Sequence, residues 1–329
     1  MIFRVVLFVF MAYQVTYFQS VTYGDDRIEK KPLAKENEEK NEINFVDYVD
    51  NTHNLLSRKV FLLSNTLDSL FGGRPINEDR NSSSFRVWYQ LSKVEGNDII
   101  SRPDFKLRIK LPYTQKKLKI VFEKSSIEER APTKVNQDQV NSTIQSADQK
   151  LAASLKYTFK FTPKWSLTSN TGVRVGIPPN LFARLNGRFV LPLGKWDLRA
   201  EQQVFWYSKD GLGESSTISI GRKFLNNFSF SFGNFATWLD DDSSFRFGSG
   251  AQFHHTYSKK LSLAYQIGAN GHKNESYFIY EYFVNIHLRR LIHKTWFFAE
   301  FVPMIFWPKD KNWNRGLSIF FKVEAVFGG

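Results

Sequence analysis

The sequence contains no cysteine, which excludes a disulfide framework and a membrane anchor in which lipid is attached to a cysteine. After residue 20 it also lacks any apolar run that approaches the roughly 18 to 20 residues of a membrane-spanning helix. No Walker loop, dinucleotide-binding fingerprint or CxxC motif occurs in the chain. Helical membrane proteins and enzymes built on these motifs are therefore excluded.

The chain is instead rich in aromatic side chains. Phe, Trp and Tyr make up 16% of its 329 residues, yet the mean hydropathy is only −0.36. In a transmembrane barrel half of each strand faces a polar interior, so a high aromatic content and a low mean hydropathy occur together. A soluble protein with a large sheet also fits these values.

Residues 1–24 have the pattern of a secretory signal peptide. A single base, Arg4, precedes an apolar stretch from Val5 to about Tyr13, which has the length of a signal peptide rather than of a membrane anchor. An N-terminal core strand or helix is the alternative. Export argues against nucleic acid as a partner, although the net charge is +13. Residues 25–43 are charged and nearly free of apolar side chains, which predicts a flexible linker.

The spacing of apolar residues predicts an amphipathic periplasmic helix over residues 44–73. Apolar side chains recur there every three, four or seven residues, and Gly72 and Gly73 end the pattern. The seam consists of Val49, His53, Leu56, Val60, Leu63, Leu67 and Leu70. Three arrangements are open: a helix packed on the rim or in the mouth of a barrel, a coiled coil that oligomerises the protein, and a mobile plug.

From residue 84 onward the polar and apolar residues alternate with a period of two, which predicts β-strands. Many of the segments have close to the 9 to 11 residues of a tilted membrane-spanning strand. We expect fourteen strands, with 12 or 16 as alternatives, near 84–92, 105–112, 117–123, 151–161, 165–175, 181–191, 196–207, 215–225, 227–238, 245–256, 261–269, 277–288, 295–306 and 316–327. The sequence therefore predicts an all-β fold, a transmembrane antiparallel β-barrel over residues 84–329.

The connections between these strands alternate in length, as they do in outer-membrane barrels. If the first strand rises from the periplasm, every inner connection has six residues or fewer, whereas the long segment 124–150 lies outside. An even number of strands places both termini on the periplasmic side. The tryptophans expected in an aromatic girdle at the membrane interfaces are Trp165, Trp196, Trp206, Trp296 and Trp307.

The alternation also assigns the two faces of each strand. Apolar residues such as Phe278, Tyr280 and Tyr282 are expected to meet lipid, and the residues between them to line a lumen. The predicted basic wall of this lumen consists of Arg86, Lys106, Arg108, Lys110, Lys119, Lys156, Lys160, Arg174, Arg184, Arg188 and Arg199. The main acids set against it are Asp197, Glu201, Glu281 and Glu300. We expect the lumen to concentrate anions; alternatively, its bases only hydrate the interior, pair locally or hold an inserted acidic segment.

The final segment, NRGLSIFFKVEAVFGG, resembles the C-terminal insertion signal of bacterial outer-membrane β-barrel proteins. The matching positions are Asn314, Gly316, Ile319, Phe321 and Phe327. Such chains usually end on the aromatic residue, whereas two glycines follow it here. The resemblance covers about residues 84–329 and points to a porin-like class rather than to one family. It implies assembly by the barrel-assembly machinery and an outer-membrane location, with lipid and lipopolysaccharide as partners.

These observations leave three functions open. The leading one is a channel for passive diffusion of small anionic solutes, without enzyme activity, cofactor or metal. The second is a non-conducting structural, scaffold or adhesive barrel, with homo-oligomerisation through residues 44–71 as one expectation. The third is a lipid-hydrolysing barrel enzyme, which needs a serine activated by a histidine. The nearest candidates for that chemistry are His255 with Ser258, and His272 with Ser276 and Asn270. Neither has the His-x-Ser pattern of barrel phospholipases.

Overall fold

The computed structural model of the protein describes residues 45–69, 83–111, 118–125, 150–225, 227–240, 245–273 and 277–328. The predicted signal peptide 1–24, the predicted linker 25–43 and most of the predicted loop 124–150 lie outside these residues. The helix α1 spans Phe45–Ser69. The strands are β1 (Ser84–Val94), β2 (Ile100–Lys110), β3 (Leu118–Ser125), β4 (Lys150–Lys160), β5 (Trp165–Arg174), β6 (Asn180–Leu193), β7 (Trp196–Tyr207), β8 (Gly211–Leu225), β9 (Phe228–Leu239), β10 (Phe245–Ser258), β11 (Leu261–Lys273), β12 (Tyr277–His293), β13 (Phe297–Pro308) and β14 (Gly316–Phe327).

The fourteen strands form one closed barrel, which confirms the predicted fold. Each strand pairs antiparallel with the next one, and β14 closes the barrel by pairing with β1 from Phe85 opposite Phe327 to Val94 opposite Ser318. Closure leaves no sheet edge, so every strand has two hydrogen-bonded neighbours. Among the described residues, no helix combines the length and the hydropathy needed to cross a membrane.

The two faces of the barrel wall differ in burial. On β14, Leu317 and Ile319 are 45% and 48% exposed, whereas Ser318 and Phe320 are 2% and 1% exposed. In a closed barrel the buried set points to the interior and the exposed apolar set points outward. Residues directly opposite each other on neighbouring strands share a face, so the strand register extends this assignment around the barrel.

The strand ends define two rims. The first residues of β1 and the last residues of β14 lie at the same end, which we call the helix rim because α1 packs there. Most connections at this rim are short; Gly194 and Lys195, for example, connect β6 to β7. At the other end, the loop rim, β3 ends and β4 begins, so the connection 126–149 starts and finishes there. The expected alternation in length holds only in part. The β2–β3 connection at the helix rim has seven residues, 111–117, whereas β7–β8 and β11–β12 are joined at the loop rim by three residues each, 208–210 and 274–276.

The helix α1 follows the helix rim from the β12–β13 turn to the end of β2. Asp50 Oδ2 lies 2.6 Å from Lys294 Nζ, and the backbone N–H of Gly328 donates a hydrogen bond to Ser57 Oγ at 3.0 Å. Further along, Ser64 Oγ donates to the carbonyl of Lys110 at 2.8 Å. These contacts recur every seven residues, which is the spacing of one helix face. Of the three arrangements open for the helix, the structure shows the one on the rim.

Two expectations about aromatic residues are wrong. Trp296 is only 9% exposed because α1 covers it, so it does not stand in the girdle. Phe278 does not share the outward face with Tyr282, because the register between β11 and β12 shifts at Asn270 and places Phe278 opposite His272. The rings of Phe278 and His272 lie 4.1 Å apart. An extra residue in a strand reverses the facing of everything beyond it.

Candidate functional site

The structure places all eleven residues of the predicted basic wall at inward register positions. Their strands are β1 for Arg86, β2 for Lys106, Arg108 and Lys110, β3 for Lys119, β4 for Lys156 and Lys160, β5 for Arg174, β6 for Arg184 and Arg188, and β7 for Arg199. Their role as a charged lumen wall remains a prediction.

One cross-strand row brings several of these bases together. Lys110 lies opposite Lys119, and Lys119 lies opposite Lys156. The row continues from Lys156 to Asn170 and from Asn170 to Arg184. Directly opposite side chains have Cβ atoms about 5 Å apart, so long basic side chains in such a row come close together. The row joins β2 to β6, and it contains no acid.

The acids available on the inward face of β2–β6 are Asp104 and Glu123, within the described residues of those strands. Glu123 forms an ion pair with Lys106. Asp104 Oδ1 accepts a hydrogen bond from the backbone N–H of Phe105 at 2.7 Å. Neither carboxylate neutralises the row, so this part of the wall has an excess of positive charge.

Part of the basic wall is neutralised locally, as the alternative interpretation expects. Arg188 lies 3.5 Å from Glu201, and Arg199 lies 3.8 Å from Asp197. The bases that form no ion pair with a described residue are Arg108, Lys119, Lys156, Lys160 and Arg184. These five residues are the core of the candidate site.

The wall formed by β12, β13, β14 and β1 carries a network of ion pairs. Lys322 Nζ lies 3.1 Å from Glu300, and Arg289 Nη2 lies 3.0 Å from Glu324. Arg86, which was assigned to the basic wall, contacts Glu324 at 3.6 Å and therefore belongs to this network. Sequence reasoning missed Lys322 and Glu324, although the alternation of the segment FKVEAVF places both on the inward face.

Aromatic rings hold two arginines of the wall in place. The guanidinium carbon of Arg184 lies 4.8 Å from the ring centre of Phe182, and that of Arg174 lies 4.4 Å from the ring centre of Tyr207. Phe182 can lie against the wall because its cross-strand partner is Gly172: a Cβ there would come within 2.7 Å of the ring. Contacts of a cation with a ring face are worth about 0.5–2 kcal/mol and restrict the side chain.

The same pairing of an inward glycine with an inward phenylalanine recurs around the barrel. In each pair the ring occupies the space that a Cβ on the glycine would need. The other pairs are Gly213 with Phe205, Gly248 with Phe235, Gly268 with Phe283, and Gly316 with Phe306. These phenylalanine rings thus lie against the backbone of the neighbouring strand.

The histidines considered for lipid hydrolysis have other surroundings. His255 stacks on Phe228 with ring centres 4.0 Å apart, and Ser258 Oγ accepts a hydrogen bond from the backbone N–H of Lys260. In the second candidate, the side-chain amide of Asn270 donates a hydrogen bond to the carboxylate of Glu281 at 3.1 Å. Ser276 lies outside the described residues. Within the part of the chain that the structure describes, no group of histidine and carboxylate side chains is arranged to hold a metal ion.

The residues of the predicted assembly signal lie on or next to the closing strand. Asn314 precedes β14, Gly316 begins it, and Ile319 and Phe321 point outward. Phe327 ends β14 and stacks on Phe85 of β1 with ring centres 5.8 Å apart. Recognition of these residues by the assembly machinery stays a prediction.

No protein-family model and no curated protein matches the sequence. The solved structures similar to this chain include outer-membrane porins and channels. The loop-deleted outer-membrane protein OmpT of Vibrio cholerae is 8% identical, and the match covers 75% of this chain and 99% of that one with a TM-score of 0.49. The CymD monoaromatic hydrocarbon channel is 8% identical, and the match covers 84% of this chain and 94% of that one with a TM-score of 0.44. The KdgM porin is also 8% identical, and the match covers 73% of this chain and 98% of that one with a TM-score of 0.36. Likeness at this level carries no argument about the solute, which rests on this chain's own residues.

Proposed function

We propose that the chain is a porin-like channel of the bacterial outer membrane through which small anionic solutes diffuse. The observation that carries this proposal is the set of five inward bases on β2–β6 that form no ion pair with a described residue. The outward face, which is apolar and has Trp165 and Trp206 near opposite ends of their strands, fits a bilayer.

The physical basis of anion preference is electrostatic focusing. A lumen wall with one sign of charge and low-dielectric surroundings raises the local concentration of the opposite sign, and the enhancement ranges from about 10-fold to 1,000-fold. Lys119 and Lys156 lie directly opposite each other and cannot neutralise one another. An anion that enters beside them reduces their repulsion, so its free energy in the lumen falls relative to that of a cation.

A non-conducting structural or adhesive barrel is the second candidate. It is favoured by the apolar cluster that Phe283, Val302, Met304, Phe306 and Phe320 form on the inward face, together with the neighbouring charge network. Packing of buried apolar side chains along β12–β14 is expected of an interior that is filled rather than open. Under this candidate the purified barrel carries no solute current, and α1 serves to join the barrel to other envelope proteins or to further copies of the chain.

Swelling of liposomes that contain the purified protein tests the channel proposal with solutes of matched size. We expect gluconate to enter faster than glucose. Replacing the five bases of the candidate site by glutamine should lower the ratio of the two rates by about tenfold, the lower end of electrostatic enhancement. The control variant loses the same charge from turn and loop residues: Lys164, Lys195, Lys209, Lys259 and Lys260.

The outcomes of this assay separate the candidates. An unchanged ratio in the five-base variant contradicts the proposed role of the wall, and the absence of any swelling favours the non-conducting barrel. Recovery of the protein in the outer-membrane fraction, with gel mobility that changes on heating, tests its location. A freely soluble periplasmic protein contradicts the proposal.

A further inference from the structure

We propose that Lys119, Lys156, Asn170 and Arg184, the anion row, form a binding subsite for solutes that carry two carboxylates. The inference rests on the proposed channel function and names the ligand class of its wall. The four side chains lie opposite one another on β3, β4, β5 and β6 and all face the interior. Neighbouring strands are about 4.8 Å apart, a separation that the two carboxylates of a four-carbon diacid can match.

The charge around Lys156 is unbalanced. Arg108, Lys106 and Arg184 act on it as like charges, and Glu123 acts as an opposite charge. Glu123 is already engaged by the ion pair with Lys106. Like charges that face each other across a sheet are destabilising. A dicarboxylate bound along the row would remove this repulsion at two points, whereas a monovalent anion would remove it at one.

Aromatic rings hold Arg184 at its position in the row. Its guanidinium lies over Phe182 and within 5.5 Å of the ring centre of Tyr207, so the aromatic rings restrict its position on the wall. The side chain is partly exposed. A guanidinium binds a carboxylate through two parallel N–H groups, a geometry that a lysine ammonium cannot provide. The restrained guanidinium of Arg184 therefore distinguishes a carboxylate, which has two acceptor oxygens, from chloride, which offers a single acceptor atom.

Arg184 Nε adds a buried donor to the row. This N–H group has no hydrogen-bond partner among the described residues. Buried polar groups in proteins are usually satisfied by protein, water or a ligand, and a carboxylate oxygen is an acceptor that fits this donor. The charge excess around Lys156 and the unsatisfied donor of Arg184 lie in the same row.

The test uses the full-length purified barrel with succinate, acetate, inorganic phosphate and chloride as probes. Binding is measured by isothermal titration calorimetry in detergent, and block of ion current is measured in planar bilayers. We expect succinate to bind more tightly than acetate, phosphate or chloride. R184Q and K156Q should each raise the Kd of succinate by about tenfold or more, as expected for the loss of a charge-assisted hydrogen bond.

Two further variants test whether the paired N–H groups of Arg184 contribute beyond its charge. R184K keeps the charge but loses the paired N–H groups, so it should weaken succinate binding by about threefold to tenfold while leaving chloride selectivity unchanged. The matched control is R246Q, which removes an arginine from the inward face of β10, away from the row, and should change the Kd by less than about twofold. Heat-modifiable gel mobility confirms that each variant folds.

The outcomes distinguish this inference from the channel function on which it rests. If the wild-type barrel conducts anions but R184Q binds succinate as tightly as the wild type, the subsite is wrong and the channel stands. If the barrel carries no anion current but R184Q abolishes succinate binding, the subsite stands and the channel is wrong. Tighter binding of phosphate than of succinate, or no binding of succinate to the wild type, overturns the subsite.

Discussion

His53 of α1 stacks on Trp296 of the β12–β13 turn, with ring centres 4.6 Å apart and planes inclined by 17°. The same imidazole lies 5.2 Å from the ring centre of Phe327, and its Nε2 is 2.9 Å from the carbonyl oxygen of Val326. One side chain therefore fastens the helix to both the last strand and the preceding turn. This contact fixes α1 to the barrel rim at the place where the barrel closes.

Replacing His53 by alanine should release the middle of α1 from the rim. The stacking is worth about 0.5–1.5 kcal/mol and the hydrogen bond a similar amount, so docking should weaken by about 1–3 kcal/mol while the barrel stays folded. Trypsin cleavage at the exposed Arg58 and Lys59 measures the release. The control is N54A, on the exposed side of the same helix. Equal cleavage rates in H53A, N54A and the wild type would contradict this prediction.

Protonation of Asp50 should weaken the same docking. The hydrogen bond from Lys294, and after it that with His293, holds the pKa of Asp50 below its ordinary value of 3.8. A carboxyl group with a lowered pKa in the folded state stabilises that state fully above its unfolded pKa and loses the contribution as the pH falls through the folded pKa. The contribution of Asp50 to docking should therefore be fully present down to about pH 4 and be lost below it.

The chain has no cysteine, so a single spin label on the variant K59C reports docking without interference. At neutral pH, the spin label in the D50N variant should be as mobile as the label in the otherwise wild-type protein is only at the lowest pH. N51Q, which changes an exposed neighbour, serves as the control. A label whose mobility is the same in D50N and the wild type at neutral pH would show that the Asp50 contacts do not hold the helix.

Replacing Gly172 by alanine should destabilise the barrel and disturb Arg184. The new Cβ would lie 2.3 Å from the carbonyl oxygen of Ala153 and 2.7 Å from Phe182 Cζ, so backbone and ring must both move. Overpacking of this kind costs about 1–3 kcal/mol. G187A is the matched control, because the nearest atoms to a Cβ at that strand glycine are 3.9 Å away or more. Urea unfolding that gives the same midpoint for both variants would contradict the pairing of Gly172 with Phe182.

Replacing Phe321 by asparagine tests the predicted assembly signal. Phe321 and Phe301 are cross-strand partners and both point outward, so either substitution exposes the same polar group to lipid. If the assembly machinery reads the last strand, F321N should lower the amount of folded barrel in the outer membrane by several fold more than F301N does. Fractionation followed by heat-modifiable gel mobility measures this amount. Equal yields of the two variants would show that lipid exposure alone accounts for the effect.

The sequence predicts the barrel well because period-two alternation is a local property. The segment NRGLSIFFKVEAVFGG, for example, shows both its facing and its place as the last strand. Features that depend on register between strands are not visible locally. The position of Phe278 depends on one extra residue in β12, and the contact of Gly172 with Phe182 depends on the alignment of β5 with β6.

The candidate site shows the same difference between local features and features that depend on contacts between distant strands. The bases of the wall follow from alternation, but their pairing does not. Arg86 and Arg108 look alike in sequence, yet Arg86 lies beside Glu324, whereas Arg108 forms no ion pair with a described residue. Glu324 is more than two hundred residues away in the chain and becomes a neighbour only because β14 closes on β1. Long-range closure therefore decides which bases remain available to an anion.

The reversal potential of the purified barrel in a planar bilayer, under a gradient of potassium chloride, tests the central claim most directly. The potential gives the ratio of chloride to potassium permeability. We predict a ratio above one for the wild type and a ratio close to one for the variant in which Arg108, Lys119, Lys156, Lys160 and Arg184 are glutamine. A cation-selective current in the wild type, or no current at all, would contradict the account.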